Sequence, residues 1–446
     1  MGNQGIYVGL DVGTTSIKAI AAEVSSGQMH VIGVGSQRAD GLARGVIVDI
    51  DKAVASIQAA LEQAAKKASI QIDSVIAGVP ASMLQIEKVS GLIAVGDTSR
   101  EITDDDVRNV AASALTRNLP PEREILSLIP DEFIVDGFDG IKDPRGMIGV
   151  RLEMKGLLLT VPKTVLHNIT RAVEKAGYSI SAFIANPLAL GSYILSDGEQ
   201  DFGTVVIDLG GGQSTAAVIH DHKLKFTTED LEGGDYITKD ISVVLNTSVV
   251  DAERLKREYG NADSLAASEE QTFPVTVVGK SAPATISEKY LAEIIEARLT
   301  QIFGRLNETL TQVHALDLPG GIVITGGTTA LPGVIELAQD IFNRQVRRFI
   351  PNEVGLRHPA FTQALALINA AANMTDVEII AGSALRTPLQ LQTRQTPAPA
   401  STAQDDATAA PQQAPAQEAE PEQDETDEPK EKKPSIIKRF FGTFFE

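Results

Sequence analysis

Cysteine and tryptophan are absent, aromatic residues make up 4% of the 446-residue chain, and positive charge is scarce, with 39 Lys and Arg against 59 Asp and Glu. Without cysteine there is no disulfide framework, no thiolate metal site and no thiol nucleophile, which fits a cytosolic protein. The formal charge of −20 argues against nucleic acid as a partner, because its phosphates repel an acidic surface. No apolar run reaches the length of a transmembrane helix. No signal peptide is expected either, since residues 1–5 lead straight into a strand. The six histidines are scattered. His220 and His222 share a turn without a third ligand and read as solvated turn residues. A chain this long needs two or more domains.

What is present is a repeated glycine loop. Thr204 to Ile207 is a β-branched run that enters Asp208-Leu209-Gly210-Gly211-Gly212-Gln213-Ser214-Thr215 and leaves through Ala216 to Ile219. The pattern predicts a hairpin whose glycines permit positive φ and close approach of a ligand to the backbone. Their N–H groups can converge on an anion. Asp208 would suit such a site if a hydrated Mg²⁺ lay between carboxylate and phosphate. One such loop alone reads equally well as a tight turn without a ligand. A second copy, Asp11-Val12-Gly13-Thr14-Thr15-Ser16-Ile17-Lys18, again between strands, favours two hairpins clamping a polyphosphate. Neither loop ends in Gly-Lys-Ser/Thr or opens a helix, so this is not a Walker-type site.

Along the chain, Val54, Ile57, Leu61, Ala64 and Ala68 recur at helical spacing after Asp51, the expected N-cap, and Ser74–Val79 is a buried strand. Residues 83–160 change texture. Short β-like runs at 84–89, 132–135 and 155–160 flank one helix from Thr103, which predicts a small α+β insertion. The acidic helix start there suits the helix dipole better than a metal. Further helices are expected from Pro162 to Ala176, over 188–195, after Gly233-Gly234, over 250–259 and over 287–314. Glu253 and Lys256 share a face of the fourth of these and read as an ion pair. A third glycine turn, Thr325-Gly326-Gly327-Thr328-Thr329, follows the strand Ile322–Ile324. The helix expected from Pro332 would point its N-terminus to the same place. A last helix spans 362–372, and the globular part ends near Arg386.

Residues 387–434 are low in complexity and predict a disordered linker, with a mean span of about 40 Å by the square-root law. Beyond it, Ile436, Ile437, Phe440, Phe441, Phe444 and Phe445 fill one half of a helical wheel, with Lys438 and Arg439 on the other. So short a helix needs an apolar phase to form against. An anionic membrane surface supplies one, and a groove on this protein or on a partner is the alternative.

Two Asp-Gly loops, a Thr-Gly-Gly-Thr turn and Glu253-x-x-Lys256 resemble the actin-like ATPase superfamily. Within it, the sequence resembles the FtsA family of bacterial cell-division actin homologues. The narrower likeness rests on residues 44–49 (RGVIVD), 99–103 (SREIT), 129–133 (IPDEF), 143–153 (DPRGMIGVRLE) and the amphipathic tail. It implies an α/β, actin-like (ribonuclease H-like) two-lobed ATPase fold with an α+β insertion, a disordered linker and a C-terminal amphipathic helix. The first lobe would comprise 1–82, 161–197 and 359–386, and the second 198–235 and 316–358. Residues 83–160 would be the insertion, 236–315 the subdomain that binds the C-terminal peptide of FtsZ, 387–434 the linker and 435–446 the membrane helix.

The resemblance also implies ATP and Mg²⁺ as ligands. Gly13, Thr14, Thr15, Gly210, Gly211 and Gly212 would hold phosphates, with Lys18 as their cation. Asp11 and Asp208 would hold Mg²⁺, mostly through water. Gln213, Thr215, Gly233, Gly234, Glu253, Lys256, Gly326, Gly327 and Thr328 would complete the nucleotide site. Implied partners are FtsZ, further copies in a filament, later divisome proteins and the cytoplasmic face of the membrane at the septum. One departure bears on hydrolysis. Asn186 stands before Pro187 where chaperones and the MreB actins carry an acid, and an amide cannot act as a general base. Weak ATPase activity at most is expected, with Gln213 the candidate for orienting water. Ala366 also replaces a glycine often used for close packing. Competing readings are a PilM-type pilus adaptor, which lacks the tail helix, and a small-molecule kinase, which needs a cleft carboxylate base that is not evident.

Overall fold

The computed structural model describes residues 4–96, 99–116 and 119–385; the linker and the amphipathic segment 435–446 lie outside the described residues. The chain opens with β1 (Gly5–Val12), β2 (Ser16–Ser25) and β3 (Gln28–Arg38), then short β4 (Leu42–Ala43) and β5 (Val46–Ile47), α1 (Ile50–Ala68) and β6 (Ser74–Val79). Next come β7 (Gln85–Ala94), β8 (Arg100–Glu101), α2 (Asp104–Ala114), β9 (Arg123–Val135), β10 (Phe138–Ile141), β11 (Ile148–Gly149) and β12 (Arg151–Pro162). They are followed by α3 (Lys163–Lys175), β13 (Ser179–Ala185), α4 (Asn186–Ile194) and α5 (Asp197–Phe202). The second half holds β14 (Thr204–Leu209), β15 (Ser214–His220), β16 (Lys223–Asp230), α6 (Gly234–Val244), α7 (Val249–Tyr259), β17 (Thr272–Val275), β18 (Ala284–Ser287) and α8 (Glu288–Gln312). It closes with β19 (Ile322–Thr325), α9 (Val334–Phe342), β20 (Val346–Arg348), α10 (Thr362–Ala372) and α11 (Asp376–Gly382).

Two five-stranded sheets repeat one plan. The first runs β13-β6-β1-β2-β3 and the second β20-β19-β14-β15-β16. In each, an antiparallel meander of three strands is extended by two parallel ones. The repeated glycine loops are the first meander turn of each copy. Between the sheets, α4 and α10 pack together, with the apolar residues Leu365, Leu367 and Ile368 of α10 fully buried. Ala366, in the place of the packing glycine, is also fully buried.

α1 covers the first sheet with Ala53, Ile57, Ala60, Leu61 and Ala64. Close approach is possible because β3 offers glycine there: a Cβ on Gly35 would meet the Ala60 carbonyl carbon at 2.8 Å. The N-cap is Asp49, not Asp51. The Asp49 carboxylate accepts from the Lys52 N–H, while Asp51, one step inside the helix, accepts from Lys175 Nζ at 2.9 Å.

The insertion is a four-stranded sheet, β10-β9-β12-β7, with α2 against it. Its strands are longer than the sequence reading. β9 runs through Pro130, which lacks an N–H to give the ladder and sits opposite Gly156 at a register shift. Helix α11 packs on α2 and β9, with Val377 and Ala381 in the insertion's core; it does not join the first lobe with the rest of 359–386. Helix α5 gives no signal in the sequence reading, and the β17–β18 hairpin supplies the β part of the 236–315 segment, which reads as mixed helical and β. α9 starts at Val334 rather than at Pro332, because Gly333 takes φ +78° and a separate 3-10 turn, Gly327–Ala330, follows β19 directly. No single helix among the described residues is long and apolar enough to cross a membrane.

Candidate functional site

Each half-sheet ends its central strand in a carboxylate. Asp11 lies opposite Lys18 across the first hairpin, and Asp208 opposite Thr215 across the second. Lys18 Nζ donates to Asp11 Oδ2 at 3.1 Å in a buried pair. Burial first, then repulsion from Asp11, push the Asp208 carboxyl up to about 6 against the pull of Lys18. Lys18 offsets this repulsion only in part, and a cation between the two carboxylates would relieve the rest. Among the described residues no group of three or more His, Cys, Asp or Glu could hold a metal ion by itself. A cation here would share its shell with water and with a ligand's own oxygens.

The two loops face one another across the lobes. A Cβ on Gly212 would lie 2.5 Å from Thr14 Cγ2 and 2.6 Å from Thr14 Cβ. Thr15 Oγ1 donates to Asp235 Oδ2 at 3.3 Å, and the Gly45 N–H to Thr14 Oγ1 at 2.8 Å. The second loop's carbonyls are tied from behind. Gly234 N–H donates to Gly210 O at 3.0 Å, Asp235 N–H to Gly211 O at 2.8 Å, and Thr328 Oγ1 to Gly210 O at 2.8 Å. No acceptor within the described residues takes the N–H of Gly211 or Gly212. Free donors on a glycine turn, with their carbonyls anchored elsewhere, form an anion cradle.

These loops line a cavity of about 670 Å³ that also contains Lys18, Asp208, Gln213, Gly234, Glu253, Lys256, Gly326, Gly327 and Thr328. A Cβ on Gly234 would lie 2.6 Å from Thr328 Oγ1, so glycine is needed where α6 meets the third turn. Gly326 has φ +96°, and a Cβ there would meet Asp208 Oδ1 and, at 2.5 Å, the Leu209 carbonyl oxygen. Lys256 Nζ is occupied: it donates to Gly234 O at 2.8 Å and Thr238 Oγ1 at 2.7 Å and pairs with Glu253 Oε2 at 2.6 Å. It braces α7 to α6 at the cavity wall. Gly233 and Thr215 stand outside the lining. A Cβ on Gly233 would meet the Gly210 carbonyl at 2.5 Å, so it supports the second loop from behind.

Matches to family models cover much of this ground. The model described as "Cell division protein FtsA" matches residues 205–366, and "SHS2 domain inserted in FTSA" matches 81–160. Cell division protein FtsA of Enterococcus hirae is 55% identical over 84% of this chain and 85% of its own length. That of Bacillus subtilis is 42% identical over 85% and 86%, and that of Escherichia coli strain K12 is 32% identical over 82% and 90%. The chain belongs to the FtsA family. Among solved structures, the PilM–PilN type IV pilus biogenesis complex aligns with a TM-score of 0.58 at 14% identity, over 82% of this chain and 99% of that one. MreB5 of Spiroplasma citri bound to ADP gives 0.52 at 12%, over 82% and 95%. At such identities the likeness is one of fold, and the fold is actin-like.

Against the FtsA frame, the inserted α+β sheet is the SHS2 domain, and the 205–366 match runs from the second glycine loop past the third. The sequence reading missed other lining residues: Asp235, Arg257, His358, Phe361 and Gln363. Arg257 was legible as the residue one turn beyond Glu253, to which its Nε donates at 2.6 Å. His358 gives no signal of its own among the scattered histidines of the sequence. Its Nδ1 accepts from the Ala360 N–H at 3.1 Å. Burial first, then Lys18 and Arg257, hold its pKa below the ordinary histidine range. His358 is thus a neutral ring whose remaining proton sits on Nε2. His220, the last residue of β15, and His222, in the turn that follows, are both exposed. The tail residues Ile436, Ile437, Lys438, Arg439, Phe440, Phe441, Phe444 and Phe445 lie outside the described residues.

Proposed function

We propose that this FtsA-family chain binds Mg-ATP between its two glycine loops and, so loaded, polymerises to hold FtsZ filaments against the cytoplasmic membrane. The observation that carries the reading is the pair of facing loops. Free N–H groups at Gly211 and Gly212 and the buried Lys18 would meet a phosphate chain. Asp11 and Asp208 would hold Mg²⁺ through water, which relieves their mutual repulsion. Gly234, Gly326 and Gly327 would pass the nucleoside close to backbone, with Glu253 and Lys256 fixing that wall.

A bound cation would neutralise phosphate charge. The chain's own residues do the rest: they orient the phosphates and draw the two lobes together. Asn186, where the chaperones and MreB actins carry an acid, offers no general base, so ATP serves chiefly as the ligand that stabilises the assembling state, with weak hydrolysis at most. Residues 236–315 would receive the C-terminal peptide of FtsZ, and the assembled protein would recruit later divisome proteins at the septum. The amphipathic tail would dock on anionic lipid from the inner face. One such helix binds weakly, and a filament displaying many binds strongly.

Equilibrium dialysis of labelled ATP against the full chain tests the nucleotide step. Saturable one-to-one binding that tightens with Mg²⁺ is expected, and absence of binding at millimolar ATP overturns it. Transfer of phosphate to a sugar panel would instead favour the kinase reading. The alignment with the pilus complex shows a shared fold and does not favour a pilus role.

A further inference from the structure

Five buried side-chain polar atoms among the described residues have no hydrogen-bond partner. Four of them belong to residues lining this one cleft: Asn186 Oδ1, Gln213 Oε1 and both amide atoms of Gln363. Asn186 Oδ1 rests against Gly78 and Gln213 Oε1 against Gly45. Gln363 stands apart, since neither end of its amide is met although the residue is only 7% exposed. Leaving such a group unsatisfied forfeits its hydration without a replacement partner. A native chain tolerates this where a ligand or water completes the set.

Its place in the fold indicates which ligand. Gln363 is the second residue of α10. On one side the Ala364 carbonyl packs on Gly9 of β1, where a Cβ would meet it at 2.5 Å, two residues before Asp11. On the other, Thr325 Oγ1 donates to Thr362 Oγ1 at 2.8 Å, and Thr325 is the register partner of Asp208. The first turn of α10 is therefore wedged between β1, which carries Asp11, and the end of β19, the parallel neighbour of the strand that carries Asp208. A phosphate oxygen takes donors only and would leave Gln363 Oε1 unmet. A water bound to a divalent cation turns both hydrogens outward and needs acceptors, which an amide oxygen lining the same cavity as the two carboxylates supplies.

We propose that Gln363 is a positioning residue whose amide oxygen accepts a hydrogen bond from a water in the shell of the divalent cation that accompanies the nucleotide. The proposal rests on the nucleotide reading above. Its test is ATP affinity of the full chain, measured with Mg²⁺ and with EDTA, for wild type, Gln363→Leu and Gln363→Glu. Gln363→Leu should bind ATP in EDTA as wild type does and lose about tenfold of the Mg²⁺-dependent gain. Its ligand-free melting temperature should be unchanged or raised, since two orphaned atoms are gone. Gln363→Glu should keep the gain and reach half-saturation at lower Mg²⁺. A full Mg²⁺ gain in Gln363→Leu overturns the proposal. If that variant does not fold, an unchanged half-saturating Mg²⁺ in Gln363→Glu overturns it. A wild type that binds no ATP in either buffer defeats the nucleotide reading itself and this inference with it.

Discussion

The Thr15 hydroxyl occupies the space into which a side chain on Gly211 would grow: a Cβ there would fall inside Thr15 Oγ1. Two lobes 196 positions apart in sequence thus meet through a contact that only glycine allows. Gly211→Ala should force the loops apart at a cost of about 1–3 kcal/mol, which weakens ATP about ten- to a hundredfold. Fluorescent-nucleotide titration reads this directly. Wild-type affinity in Gly211→Ala would mean the loops do not close on the ligand.

Lys256 has its ammonium spent on Gly234, Thr238 and Glu253. Lys256→Met leaves the Glu253 carboxylate with the more exposed Arg257 as its remaining cation and should destabilise the chain by about 2–3 kcal/mol. Chemical denaturation measures that loss. Nucleotide affinity should fall less than in Gly211→Ala, because the wall is disturbed and the phosphate cradle is not.

Arg100 grips Asp106 through two hydrogen bonds of 2.7 Å, and Asp106 also closes the capping box of α2 with Thr103. The Arg100 hydrogen bond chiefly, joined by Thr103, lowers the Asp106 carboxyl to about 2. Since the folded value lies below the ordinary 3.8, the stabilisation is complete above about pH 4. It is lost as pH falls from there through about 2, and amounts to about 2 kcal/mol. Acid titration of wild type against Asp106→Asn should show the difference vanish in that window.

Lys223 Nζ lies 2.7 Å from Asp131 Oδ1, and Ser82 Oγ donates to Glu229 Oε2 at 2.9 Å. These two contacts tie the insertion and its root to the second sheet. Both ends of the ion pair are partly exposed, so Lys223→Ala should cost less than about 1 kcal/mol. Its effect should appear as faster hydrogen exchange in β9 rather than as a lower melting temperature.

Much of this was legible in the chain because the signals were local. Asp-apolar-Gly repeated between β-branched runs, and each copy became the first meander turn of a sheet. The family-like stretch 99–103 proved to be a structural lock, with Arg100 on Asp106. What escaped depended on distant partners. Asp49 and Asp51 are equivalent caps in sequence, and Lys175, more than 120 residues away, engages the second. Val377 and Ala381 give no hint that α11 belongs with the insertion, since their partners lie on α2 and β9. Gln363 reads as an ordinary helix residue until β1 and β19 close around its turn.

The most direct test of the account is co-sedimentation of the full chain, and of residues 1–434, with anionic vesicles, with and without Mg-ATP and FtsZ. The account predicts that the full chain pellets with vesicles, brings FtsZ down and does so better with Mg-ATP, while the truncated chain stays in the supernatant. Equal pelleting of both chains, or of neither, would contradict it.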